Sequence, residues 1–374
     1  MDIATFSRPS RRQIILTGVA TALTIAAGSW AAAPVAAQDW QERWKQIVAA
    51  AEKEGELNVS GPAGSLWREN LLTFRKAYPK INIKVTPFAG RDFWPRVMKE
   101  REVGQHLWDL RVGGAETQVY QLIKAGGLAS VRDMLILPDV ADENTWNGGF
   151  DHMFSDIANK YVPSFTAYSS PLAYYNTKVI APGELKTFED LLDPKWKGKI
   201  AMVDPRGGST AVNMAIVYQK FGEKFIRELF TTQAPVIVKN PRQMVGWFVS
   251  GQYPIAMGMP NTSLIEFKEK GVEIPAGRVS GLDIWSVGVG SIQVLEPRPH
   301  PNATIVFVNW LLTKDVQNLV TSGAQMNSRR KDVPPYDADR MLDWSNYKTY
   351  VSGQSEELFP AMNEFKNITR EILP

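Results

Sequence analysis

Leu57-Asn58-Val59-Ser60-Gly61-Pro62-Ala63-Gly64-Ser65-Leu66-Trp67 joins a strand pattern to the start of a helix through a loop of small residues. Leu57 and Val59 alternate with polar neighbours, the two-residue period of a strand. Trp67, Leu71, Phe74 and Tyr78 then recur three or four positions apart, the spacing of one helical face, until Pro79 stops the run. Ile81, Ile83 and Val85 restore the two-residue period, Phe88-Ala89-Gly90-Arg91 is a loop, and a helix is expected from about Phe93 to Glu102. Leu107 to Val112 reads as a strand, and Gly113-Gly114 opens a helix carrying Val119, Leu122 and Ile123 that ends at Gly126-Gly127. Strand, glycine turn and helix in repeated succession build a largely parallel sheet, because each helix returns the chain to the edge it left. The fold class is therefore α/β.

Working outward, Trp40, Trp44, Ile47, Val48 and Ala51 predict an amphipathic helix ending at Gly55. Residues 134–160 are irregular. Ser164 to Tyr168 and Leu172 to Tyr175 are strand-like, and a Pro182-Gly183 turn follows. A second α/β series begins at Thr187, where Asp190 three residues on is a capping pair. Its strands are expected at Lys199–Val203, Val236–Val238 and Pro254–Met257. Its helices run from Ser209 to about Phe221, behind Asn240-Pro241, and after Gly258-Met259-Pro260-Asn261-Thr262. Asp283 to Leu295 is one long β-like run. Two helices follow, around 302–312 and 314–321, and a tail helix from Ser355 to Arg370 closes the chain.

The N-terminus carries an address. Arg11-Arg12 precedes an apolar stretch from Ile14 to about Ala27, and the small residues Ala31-Ala32-Ala33-Pro34-Val35-Ala36-Ala37 follow. This is the layout of a cleavable export signal at 1–37, with the paired arginines of the twin-arginine route. A membrane anchor is the other reading, but the run is shorter than the roughly 20 residues a spanning helix needs. The chain has no cysteine, which excludes disulfides, a thiolate nucleophile and a lipid anchor on cysteine. Without Asp2, Arg8, Arg11 and Arg12 the formal charge of +3 falls to about +1, with no basic excess for a nucleic-acid backbone. Residues 38–374 exceed one ordinary core, so two domains are expected.

In order along the chain, several fragments resemble one family. These are Ala49-Ala50-Ala51-Glu52-Lys53-Glu54-Gly55-Glu56-Leu57-Asn58-Val59, Ala173-Tyr174-Tyr175-Asn176-Thr177-Lys178, Thr187-Phe188-Glu189-Asp190-Leu191-Leu192-Asp193-Pro194-Lys195-Trp196-Lys197-Gly198-Lys199-Ile200, His300-Pro301-Asn302-Ala303 and Asn309-Trp310-Leu311-Leu312. Together they resemble the extracellular solute-binding proteins of ABC importers, in the branch with ferric-ion, polyamine and thiamine binders. The resemblance implies the type II periplasmic binding fold, two α/β lobes joined by two crossing hinge strands with the solute between them. It places lobe one at 38–167 plus 288–374, lobe two at 176–283, and the crossings near 164–175 and 284–287. It implies a monomer in the periplasm, a small-molecule solute, and an ABC permease with its ATPase as partners. A ligand-presenting sensory protein on the same fold is a further alternative.

Open α/β sheets bind ligands beyond the carboxyl ends of their strands, where helix N-termini offer unpaired N–H groups. The candidate loops are 60–65, 88–91, 113–117, 204–210 and 258–262, with Ser60, Gly61, Ser65, Arg91, Gly114, Thr117, Arg206, Ser209, Thr210 and Asn261 as ligand-binding candidates. Ser209 and Thr210 serve equally as a plain helix cap, and Gly114 as turn geometry. Arg91 and Arg206 suit a carboxylate or phosphate, or are ordinary surface charges. Tyr168 and Tyr175, at the expected crossings, donate hydroxyls to solute or pack the hinge.

A ferric ion favours phenolate and carboxylate oxygen. The ferric branch of the family implies adjacent tyrosines after the strand that here reads Ile255-Ala256-Met257-Gly258, and this chain has Met259-Pro260-Asn261 instead. Tyr174 and Tyr175 are adjacent, but neighbours on a strand face opposite sides. His106, His152 and His300 are far apart and form no helix-spaced metal pair. No metal site and no cofactor are expected. No Walker loop, GxSxG or HExxH appears, so the reading is a carrier that does no chemistry, with a small anionic organic or oxyanionic solute ranked above ferric iron.

Overall fold

A computed structural model describes residues 35–62, 65–282, 284–347 and 350–373. The expected signal at 1–37 lies outside them except for its last three residues, which start a helix over Val35–Glu54.

The alternating segments become β1 (Glu56–Gly61), β2 (Asn82–Pro87) and β3 (Leu110–Gly113), with β1 paired in parallel to both others. β11 (Ser291–Val294) joins β3 antiparallel, giving the order β2-β1-β3-β11. The second series repeats this plan. β6 (Ile200–Val203) lies parallel between β7 (Val236–Val238) and β8 (Ile255–Met257). β5 (Ala173–Asn176) joins β8 antiparallel and β9 (Ala276–Arg278) extends the edge, giving β7-β6-β8-β5-β9. In each sheet the antiparallel member is the strand that has just arrived from the other half of the chain, so the two units are built alike and laced together.

A third sheet lies between them. β4 (Tyr168–Ser169) and β10 (Ile284–Ser286) pair antiparallel, and β12 (Val351–Ser352) adds to β10 in parallel. The long run from Asp283 to Leu295 is thus two strands, because Gly288 (φ 53°) turns the chain between β10 and β11.

Each unit has its own core. Leu57, Val59, Ile83, Leu110 and Val112 pack with Phe307, Leu311 and the rest of the Pro301–Leu312 helix in the first. Proline opens that helix, and the Glu54 carboxylate accepts from the backbone N–H groups of Asn302 (3.0 Å) and Ala303 (2.7 Å), satisfying its free N-terminus. In the second, Phe188, Ile200, Met202, Met214 and Ile226 form the core.

The C-terminal helix corrects the expected boundaries. Residues 288–374 do not all join the first lobe: Leu358, Ala361, Phe365 and Ile368, on or beside the Phe359–Ile372 helix, are buried in the second core against the Gly208–Thr231 helix. Its amphipathic stripe was visible in the sequence, but nothing local says which apolar surface it covers.

Candidate functional site

Gly288 marks the floor between the two units. Its N–H donates to Ser286 Oγ (3.1 Å), which donates to the Tyr168 hydroxyl (3.2 Å). A Cβ on Gly288 would stand 3.1 Å from that hydroxyl and 2.8 Å from Met326 Cε. The Arg340 guanidinium lies over the Tyr168 ring, 4.0 Å from its centroid, a cation–π contact. Gly114 reaches the same place from the first unit: a Cβ there would be 3.2 Å from the Gly288 carbonyl oxygen. Gly114 and Tyr168 are therefore brought together across the hinge turn.

Gln354, just beyond β12, ties these parts. Its amide donates to the Gly288 carbonyl (2.9 Å) and its oxygen accepts from the Ala115 N–H (2.9 Å). Its own carbonyl accepts from the Tyr120 hydroxyl. Gly353 beside it faces Val212 of the Gly208–Thr231 helix, 3.3 Å from where its Cβ would be. Loops of both units thus converge on two adjacent residues. Gln354 and Arg340 were not singled out from the sequence, because the chain from about 325 to 354 has no period that marks an element; Ser286 and Gly288 were hidden in a run that reads as one continuous strand.

On the first wall, Ser60 is not a solute-facing hydroxyl as expected. It is fully buried and accepts from Arg111 Nη1 (2.8 Å), since β1 and β3 place the two residues side by side. Arg111 also donates to the Phe88 carbonyl (3.3 Å) and lies over the Phe93 ring. Gly61 is buried too, at the end of β1. Arg91 lies in the first turn of the Gly90–Glu102 helix, Ser65 starts the Ser65–Leu72 helix, and half-buried Thr117 starts the Thr117–Lys124 helix. Burial pushes the Glu116 carboxyl above its ordinary range, while the Arg111 guanidinium and the Trp94 indole pull it back.

On the second wall, Arg206 turns onto Asp204: Nε meets Oδ1 at 2.9 Å and Nη2 meets Oδ2 at 2.7 Å. This holds the Asp204 carboxyl below its usual range. Gly207 precedes the Gly208–Thr231 helix and no side chain caps it; Ser209 is exposed. Thr210 is buried rather than open, lodged against Gly258, where a Cβ would stand 2.6 Å from Thr210 Oγ1. Asn261 starts the Asn261–Glu269 helix directly after this contact, so the 204–210 and 258–262 loops form one surface. Because Gly258 has φ +72° and no room for a methyl, Gly258→Ala is expected to cost about 2 kcal/mol, read as a lower urea midpoint. An unchanged midpoint would contradict this contact.

Tyr175 is not part of the floor. Its ring covers Gly277, whose Cβ would fall 2.3 Å from Tyr175 Cζ, and it packs toward the second core. Tyr174 packs on the opposite face with Met244 and Phe248. His300 is half-buried, its Nδ1 2.8 Å from the buried Asp109 carboxylate. Among the described residues no group of three or more His, Asp or Glu could hold a metal ion. A cavity of about 390 Å³ opens where Glu269 faces Gln325 and Tyr336–Asp339; its three carboxylates disfavour an anion.

Two like-built α/β units, laced by crossing strands and facing each other across a floor of hinge residues, define a two-lobe binding protein of the type II periplasmic class. The chain belongs to the bacterial extracellular solute-binding protein family, whose profile matches residues 72–339. It is similar to Iron uptake protein A1 of Synechocystis, 28% identical over 120 residues, a match spanning 28% of this chain and only 32% of that relative. Among solved structures it resembles iron-bound HitA from Pseudomonas aeruginosa (TM-score 0.62, 18% identity, 85% of this chain and 99% of that one). It also resembles Trichodesmium IdiA (FutA) with iron and citrate (TM-score 0.64, 15% identity, 85% and 99%). AfuA from Actinobacillus pleuropneumoniae, with fructose-6-phosphate bound, is a further neighbour (TM-score 0.52, 19% identity, 85% and 98%). At these identities the structural likenesses speak for the fold. Among the described residues no helix is long and apolar enough to cross a membrane.

Proposed function

We propose that this chain is the periplasmic substrate-binding component of an ABC importer, closing its lobes on a small anionic organic or oxyanionic solute. It hands that solute, chemically unchanged, to a permease driven by its ATPase. The observation that carries the reading is the convergence of the Gly114 loop, the Gly288 turn and the start of the Gly208–Thr231 helix on Gly353-Gln354. Closure about a hinge needs such a meeting of both walls and the crossing strands. The anionic preference rests on the start of the Gly208–Thr231 helix, uncapped by any side chain, and on Arg340, whose guanidinium lies over the Tyr168 ring. In this reading the chain is exported through its N-terminal signal, is cleaved near Ala37 and works as a monomer.

Ferric iron is the second reading, favoured by the relatives named for iron uptake or solved with iron. Against it, Tyr174 and Tyr175 pack into different cores, and burial raises the Tyr174 phenol away from the phenolate a ferric ion would need.

A thermal-shift screen of organic acids, phosphate esters, phosphonates, polyamines, thiamine and ferric salts tests this. A solute that binds only the folded chain stabilises it by about 2.7 kcal/mol at a hundredfold excess over its Kd. A shift confined to anionic solutes is expected. A shift with ferric salt alone would favour the second reading. Silence across the screen, in protein freed of carried-over ligand, would favour a receptor or an enzyme on the same fold.

A further inference from the structure

The place where a side chain would stand on Gly90 is already taken. A Cβ there would fall 1.5 Å from Glu116 Oε1 and 2.1 Å from Glu116 Cδ. The Glu116 carboxylate therefore rests on the bare Cα of Gly90, in the first turn of the thirteen-residue Gly90–Glu102 helix. Gly90 has no left-handed φ, so its missing side chain supplies room, not backbone freedom. Glu116 Oε2 accepts from the indole N–H of fully buried Trp94 at 2.7 Å.

The surroundings are those of an anion site. Arg111 is 2% exposed and its charge is felt at Glu116. Two of its nitrogens are used by Ser60 and Phe88, but its buried Nε has no acceptor. No side chain caps the Gly90–Glu102 helix, because its N-cap is Ala89. A guanidinium, an indole N–H and a helix N-terminus all favour negative charge. The carboxylate that answers them comes from the chain itself, on the loop that Ala115 ties to Gln354.

We infer that Glu116 is the built-in occupant of an anion cradle formed by Arg111, Trp94 and the start of the Gly90–Glu102 helix, and that it determines specificity by denying the first-lobe side of the cleft to a solute's anionic group. The specificity half rests on the proposed solute site between the lobes; the cradle itself does not. A second carboxylate brought beside Glu116 meets a like charge and finds the Trp94 indole N–H already taken. The solute's anion is left to the second lobe, at the uncapped start of the Gly208–Thr231 helix.

The test empties the cradle and offers a substitute. Glu116→Ala leaves space for one carboxylate, and sodium acetate is the probe, with sodium chloride at equal ionic strength as control. Acetate is expected to raise the Tm of Glu116→Ala by about 2–4 °C over chloride, and not that of the unaltered chain. Adding Gly90→Ala fills the space and is expected to abolish the response. Equal acetate shifts in the unaltered chain and Glu116→Ala, or a response that survives Gly90→Ala, would overturn the cradle. Should Glu116→Ala be unfolded in chloride, folding restored by acetate supports the cradle and failure to restore it counts against it.

Glu116→Gln keeps the shape and removes the charge, and it reads specificity in the solute screen. Dianionic compounds are expected to gain on the order of tenfold in affinity relative to the unaltered chain. An unchanged ranking of solutes overturns the specificity role. The acetate response requires no solute, so failure of the cradle and failure of the proposed function are separately visible.

Discussion

Replacing Phe365 by alanine is expected to cost about 3–5 kcal/mol and to loosen the second lobe before the first. Phe365 is 1% exposed and packs with Ile226, Leu229 and Phe230 of the second core, its ring 6.5 Å from that of Phe230. Deleting the ring removes apolar contact and leaves a cavity in a close-packed core that relaxes only in part. The exposed Arg227–Glu371 pair on the same helices contributes little beside this. Urea unfolding followed by circular dichroism gives the cost. A loss below about 1 kcal/mol would mean that the C-terminal helix is a loose appendage. The functional consequence is specific, because residues 353–358 run from the hinge to this helix. Gln354 should lose its hold on Ala115 and Gly288, and solute affinity should fall with stability.

The second large effect is expected at Asp109, where alanine should cost about 3 kcal/mol. This carboxylate is fully buried at the start of β3. It accepts from the Asn58 N–H (2.7 Å), the His300 N–H (2.6 Å) and His300 Nδ1 (2.8 Å). Removing it strands donors on β1 and at the head of the Pro301–Leu312 helix, inside the first lobe. The check is again the urea midpoint. A change within 0.5 kcal/mol, the range of ordinary surface substitutions, would show that water replaces the carboxylate at no cost.

Asp109 and Glu54 also explain what the sequence could reveal. The fragments around Ala49–Val59 and His300–Ala303 resemble the family separately, and in the fold they meet. Glu54 satisfies the N–H groups of Asn302 and Ala303, and Asp109 joins Asn58 to His300. The α/β class was legible because Leu57 and Val59, or Ile81, Ile83 and Val85, alternate with a period only a strand has. The glycine loops were legible as candidate sites because they follow such strands. What each loop side chain touches was not. Ser60 is silenced by Arg111, a partner 51 positions away that β1–β3 pairing sets beside it. Tyr175 is covered by pairing with β9, which lays its ring on Gly277. Gln354 reaches Ala115 across 239 positions, through an irregular segment with no periodic signal. The helix at Ser355–Arg370 could be drawn from its stripe, yet its partner surface is set by the third strand of the hinge sheet.

The most direct test of the whole account is calorimetric titration of the full chain with the anionic solute that stabilises it most, beside ferric citrate, followed by recovery of the solute. The account predicts one site per chain for the anionic solute, saturable binding, and recovery of that solute unchanged. Binding of ferric ion alone, or a solute returned as product, would contradict it.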